Sequence, residues 1–167
     1  MSVAVVVGNP RPESRTLRAA VAVADTLAPV TGDGERLVVD LATLGGSLLD
    51  WEAQEVSDLN AAVAGSDLVI FASPTYKATY TGLLKVFLDR YGTNGLAGTV
   101  AVPVMTGAAP IHALAPEVSL RPLLVELGAS VPTRGLFVLE SSFDDLPAAV
   151  KPWAEVASPL LARSLAP

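Results

Sequence analysis

The sequence predicts an α/β domain: a five-stranded parallel sheet of order 2-1-3-4-5 with helices on both faces. Three observations lead there. Short Val-rich apolar runs alternate with runs of helical period along the chain. The strand-like runs are continuous rather than alternating, as in strands covered on both sides. A length of 167 residues suits one domain, residues 1–167, with enough chain to bury a core.

Taken in order, "SVAVVV" (2–7) is short, Val-rich and unbroken, the pattern of a central parallel strand. Residues 15–28 place Leu17, Ala20, Val21, Ala24 and Leu27 on one helical face. "TGDGE" (31–35) reads as a turn and "RLVVDL" (36–41) as the second strand. "EVSDLNAAVAGSD" (55–67) is a helix ending near Gly65, and "DLVIFASP" (67–74) a third strand leaving through a Pro-containing loop. A helix follows at 81–92. "GTVAVPVMTG" (98–107) is the fourth strand, although Pro103 cannot donate to a ladder. Residues 112–129 have helical period but contain Pro116 and Pro122, so a kink or break is expected. "GLFVLES" (135–141) is the fifth strand and 146–164 the last helix. This alternation at this length suits the three-layer flavodoxin-like arrangement. In such sheets a ligand lies beyond the carboxyl ends of the strands, which singles out loops 8–16, 73–81 and 105–112.

Composition narrows the chemistry. The absence of Cys removes disulfides, thiolate metal sites and Cys nucleophiles, and a single His leaves no His-rich metal centre. With only His112 available as base, a Ser-His-Asp hydrolase is disfavoured. A net charge of −6 argues against general nucleic-acid binding. Hydrophobic residues make up 51%, yet no unbroken apolar run approaches the ~20 residues that span a bilayer. The start has no basic stretch before its apolar run, so no signal peptide is expected and a cytoplasmic enzyme fits best. High apolar content together with the two-Pro helix predicts a homo-oligomer, dimer or tetramer.

The first loop, "GNPRPESRT" (8–16), lacks both the Gly-x-Gly-x-x-Gly fingerprint and the Gly-Lys-Ser/Thr of a P-loop. It feeds a helix start, where free N–H groups and the helix dipole favour an anion. Asn9, Ser14 and Thr16 can hydrogen-bond a phosphate oxygen, Ser14 is the candidate N-cap, and Arg11 offers a planar fork of donors, with Arg15 beside it. The second loop, "SPTYKATYTG", carries Tyr76 and Tyr80, whose aromatic faces either meet a flat ring at the ligand edge or pack over the core. Lys85 and Asp89 after it form an i,i+4 surface pair. In the third loop, "MTGAAPIH", Thr106 and Gly107 permit close backbone approach, and His112 falls near the next helix start. Asp40, after the second strand, is a loop or capping residue, because the ribose-binding role of such an acid requires the missing glycine fingerprint.

"GNPRPESRT", "SPTYKATYTGLLKVFLD" and "TGAAPIHALAPEVSLRPLLVELGA" together resemble the NAD(P)H-dependent FMN reductases, in particular those that serve two-component flavin monooxygenases in sulfonate use. The resemblance implies a hydride transfer from NADPH or NADH to FMN, with no catalytic side chain and no metal. It implies that Arg11, Ser14 and Thr16 hold the FMN phosphate, with Asn9 where the family often has Ser. It implies that Pro74, Thr75, Tyr76 and Lys77 border the isoalloxazine through backbone groups, and that Thr106, Gly107 and Ala108 contact its pyrimidine edge, with Ala109 and His112 adjoining. Two positions depart from the family pattern. Ala108 replaces a second Gly, and Val118 stands where close sulfonate-type relatives often carry Tyr or another polar ring linked to a helix irregularity and tetramer packing. The same loops would also serve an enzyme with resident FMN that reduces quinones, azo or nitro compounds or metal oxyanions, and, less well, a non-catalytic electron carrier.

Overall fold

A computed structural model of the chain describes residues 1–32, 34 and 36–166. Five parallel strands form one sheet: β1 (Val3–Val7), β2 (Arg36–Asp40), β3 (Leu68–Pro74), β4 (Val100–Gly107) and β5 (Leu136–Leu139). Their order is β2-β1-β3-β4-β5, the flavodoxin-like order expected from the alternation. Every residue of β1, β3 and β4 is buried, whereas the edge strands β2 and β5 are only partly covered. Unbroken apolar runs therefore mark the centre of the sheet.

Alternate residues of each central strand feed two cores, since side chains point to opposite faces with period two. Val5, Val7, Ile70 and Val104 pack with helices α1 (Arg15–Thr26) and α6 (Leu146–Ser164). Ala4, Val6, Phe71 and Met105 pack on the other side with α3 (Gln54–Ala64), α4 (Gly82–Leu88) and α5 (Arg121–Glu126). Helix α1 buries Ala19, Ala20, Val23 and Ala24, a face rotated from the expected stripe, so that Leu17 is only partly covered. A separate turn, α2 (Ala28–Thr31), follows it and ends at Gly32 with φ +82°. The turn expected at 31–35 lies partly on Asp33 and Glu35, outside the described residues. Leu41–Leu49, two 3-10 turns joined by a kink at Gly45 (φ +53°), was not legible in the sequence. Helix α4 is shorter than the expected 81–92, stopping at Leu88 with Asp89 as its C-cap.

Pro103 is accommodated in β4 by its direction. Val100 N–H donates towards β3, to Asp67, and Ala101 N–H donates to Ser130 on the opposite side. Two residues further on, Pro103 faces that opposite side too, and β5 joins only at Val104, so no ladder bond is missing. The two-Pro segment breaks as expected, into a short 3-10 turn (Pro110–His112), a π-helical turn (Pro116–Leu120) and α5. Arg121 N–H reaches back five residues to the Pro116 carbonyl. Pro122 has no N–H for the carbonyl four residues back, which releases the regular ladder there. The irregularity is thus present without an aromatic ring: Val118 lies within it, 68% exposed.

Candidate functional site

The site lies beyond the carboxyl ends of β1, β3 and β4, at a cleft of about 380 Å³. Its phosphate-sized end is built from the chain that leaves β1. A Cβ at Gly8 would collide with Leu84 and lie 3.0 Å from its Cα, so only glycine lets the loop pass over α4. The Thr81 hydroxyl donates to the Gly8 carbonyl and also caps α4 by accepting from Leu84 N–H. Asn9 is buried; its amide donates to Thr16 Oγ1 at 3.0 Å and its Oδ1 accepts from Arg11 N–H at 2.9 Å. Thr16 Oγ1 lies 2.9 Å from Thr106 Oγ1, joining the first loop to the third through two buried hydroxyls. Asp40 accepts from Glu13 N–H at 3.0 Å, where Glu13 has φ +52°, and from Ala42 N–H at 3.3 Å. The expected capping role of Asp40 is therefore observed, and it also clamps the strained residue of the first loop.

Ser14 is the N-cap of α1, its Oγ accepting from Leu17 N–H at 3.2 Å. Its hydroxyl proton remains to be donated. The helix has no carbonyl to offer the N–H groups of Arg15 and Thr16, which open at the same end. Ser14, Arg11 and this helix start line one side of the cleft. On the other side stand Glu140 and Phe143, from the segment after β5. Arg15 Nη1 lies 3.2 Å from Glu140 Oε2, and its guanidinium is 5.9 Å from the centre of the Phe143 ring. The donor set suits a single terminal phosphate at a helix start.

The other end is made mostly of backbone. Ser73 Oγ accepts from Thr81 N–H at 3.0 Å and donates to the Pro74 carbonyl at 2.8 Å, holding the exit of β3. Tyr76 and Thr79 exchange N–H···O bonds of 2.9 and 3.2 Å around Lys77 (φ +53°) and Ala78 (φ +69°), a tight turn with two non-glycine residues in the left-handed region. Tyr76 is 49% exposed and lines the cleft. Tyr80 packs instead against the core on the α4 side, so its ring is structural. Thr75 N–H donates to the Thr106 carbonyl at 2.7 Å, while its buried Oγ1 has no partner among the described residues. A Cβ on Gly107 would meet the tip of the half-buried Phe137 ring at 2.9 Å, so a larger residue there would need that ring to shift. Ala108 is exposed, Ala109 and His112 are half-buried, and neither these nor Thr75, Lys77 and Gly107 line the cleft itself. Lys85 and Asp89 form the expected surface pair.

A family model described as NADPH-dependent FMN reductase matches residues 1–144. The chain belongs to this family. An FMN reductase (NADPH) of Pseudomonas aeruginosa is 34% identical over 71% of this chain and 66% of its own length. The NADH-dependent FMN reductase SfnF of Pseudomonas fluorescens is 34% identical over 64% of this chain and 60% of its own. Across the curated relatives the chain spans between 42% and 66% of their length. The apo crystal structure of an NADH:FMN oxidoreductase, EMOB, superposes with TM-score 0.84 and 29% identity, covering 98% of this chain and 88% of that one. The donors at the start of α1, with Pro74 and Tyr76 beyond β3 in the same cleft, fit a flavin mononucleotide. Glu140 and Phe143 were missed by sequence reasoning, which singled out loops after three strands only. No motif marks them, and only the pairing of β5 with β4 brings them to the cleft.

Proposed function

We propose that this chain is an NAD(P)H-dependent FMN reductase in which FMN is an exchangeable substrate. The observation that carries the reading is the cleft itself: the start of α1 with its open Arg15 and Thr16 N–H groups, the Ser14 hydroxyl proton and Arg11 converge at one end, with an exposed tyrosine at the other. Arg11, Ser14 and the N–H groups of Arg15 and Thr16 would hold the phosphate, and Asn9, Thr16 and Thr106 would keep that loop in place. Backbone groups of Pro74, Thr75, Tyr76 and Lys77, and of Thr106 to Ala109, would orient the ring, with His112 beside them. A flavin held there would supply the redox chemistry, as acceptor of a hydride from the reduced nicotinamide. The protein's part is to align the two rings and exclude water, so no catalytic acid or base is required. Relatives named for NADPH and for NADH leave both nicotinamides as donors to test.

Reduced flavin would pass to a partner monooxygenase, a reading supported by the resemblance of the three loops. The protein would act in the cytoplasm, consistent with a chain without Cys. It would form a homodimer or homotetramer: Ile111, Leu114, Val118 and Val125 expose apolar side chains along one broken helical segment. Light scattering showing a monomer at working concentration would remove that element. The central test is Arg11→Ala. FMN affinity should fall roughly ten-fold, as for loss of a charge-assisted phosphate contact, while riboflavin affinity stays unchanged. Equal losses for both ligands would reject the phosphate site. A purified protein that is yellow and needs an added acceptor for turnover would favour the resident-flavin enzyme instead.

A further inference from the structure

The Arg15–Glu140 pair crosses the end of the cleft where the phosphate would sit. Both side chains line it, and they are 59% and 41% exposed, so either can exchange its partner for solvent or ligand. Arg15 is held on the side of β5 by two contacts from one segment, the Glu140 carboxylate at 3.2 Å and the Phe143 ring at 5.9 Å. Phe143 is 6% exposed and anchored in the core on the α1 and α6 side, so this wall is fixed. Arg11, by contrast, has no acidic side chain within ion-pair distance among the described residues. The two arginines of the first loop are therefore unlike. One is free for an anion, and the other is already neutralised by a carboxylate that shares the cleft.

We infer that Glu140 sets the strength of FMN binding by competing with the FMN phosphate for Arg15. This rests on the FMN reading above. A phosphate monoester carries between one and two negative charges at neutral pH. On arrival it meets the Glu140 carboxylate as a like charge, and it gains Arg15 only by separating that pair. Both effects weaken FMN and leave riboflavin, which has no phosphate, untouched. For an enzyme that must release flavin in every cycle, such a built-in competitor keeps release fast, because differences in affinity between related complexes appear mostly in the dissociation rate. Glu140 is in this sense a specificity-determining residue that touches Arg15 and opposes the ligand.

The test is Glu140→Gln, which keeps shape and hydrogen-bonding capacity and removes the charge. Dissociation constants for FMN and riboflavin are measured by flavin fluorescence quenching with the full chain, and FMN release by stopped flow. FMN should bind roughly three- to ten-fold tighter, the scale expected for removing one solvent-exposed like charge. FMN release should slow by a similar factor, and riboflavin binding should stay the same. The gain should shrink in an Arg15→Gln background and at high salt. FMN affinity that is unchanged or weaker in Glu140→Gln overturns the inference, as does an equal shift for both flavins. The reading beneath it fails separately: a wild-type protein that binds FMN no better than riboflavin has no phosphate site, whatever Glu140 does.

Discussion

The two ends of the site are built by opposite means. At the phosphate end, side chains do the holding: Asn9, Thr16 and Thr106 form a buried hydrogen-bonded chain, Thr81 fastens Gly8, and Asp40 clamps Glu13. At the ring end the structure is exposed backbone, a turn held by two mutual N–H···O bonds with Lys77 and Ala78 at positive φ. One end is completed when the protein folds. The other leaves Tyr76, Lys77 and Ala78 exposed on a short turn. In the proposed reading, rigidity is placed where a phosphate is met, and exposure where a flat ring comes and goes.

The contrast can be broken most severely at Gly8. Gly8→Ala drives a Cβ into Leu84, against backbone that cannot give way. We expect a loss of about 3 kcal/mol or more, or failure to fold, measured by urea denaturation. Wild-type stability would show that the loop slides freely over α4 and that the phosphate end is not preset. Next is Thr16→Val, which leaves the Asn9 amide and the Thr106 hydroxyl without their shared partner in a buried place. A cost of about 1–3 kcal/mol is expected, with weaker FMN binding and a smaller loss for riboflavin. If both flavins weaken alike, the network supports the whole cleft and not one end of it. The smallest effect belongs to the ring end. Ala78→Gly relieves a left-handed residue at φ +69° and should change stability by no more than about 1 kcal/mol, because released strain is offset by chain entropy. A large loss would mean that this turn, too, is secured by its side chains.

Much of this was legible from residue order alone. The unbroken runs at 2–7, 67–74 and 98–107 became the three fully buried strands, because a strand covered on both faces is filled almost wholly by apolar side chains; Ser73 and Thr106, near the carboxyl ends, are buried with hydrogen bonds. Ser14 capped the first helix as its type and place demanded. Pro116 and Pro122 broke their helix. Other positions had two readings that sequence could not separate. Tyr76 and Tyr80 are equivalent on paper, yet one faces the cleft and the other the core. Arg11 and Arg15 flank the same cap, yet among the described residues only Arg15 meets an acid.

The sequence by itself determined the sheet, its order and the position of the loops, since these follow from short-range patterns of burial and capping. Only the tertiary structure decided which side chains share the cleft. Glu140 and Phe143 lie more than a hundred residues from Ser14 and carry no motif. They reach the site because β5 pairs with β4 in a register that sets its carboxyl end beside the start of α1. Register is a property of the assembled sheet, and no local pattern encodes which distant loop it will bring alongside.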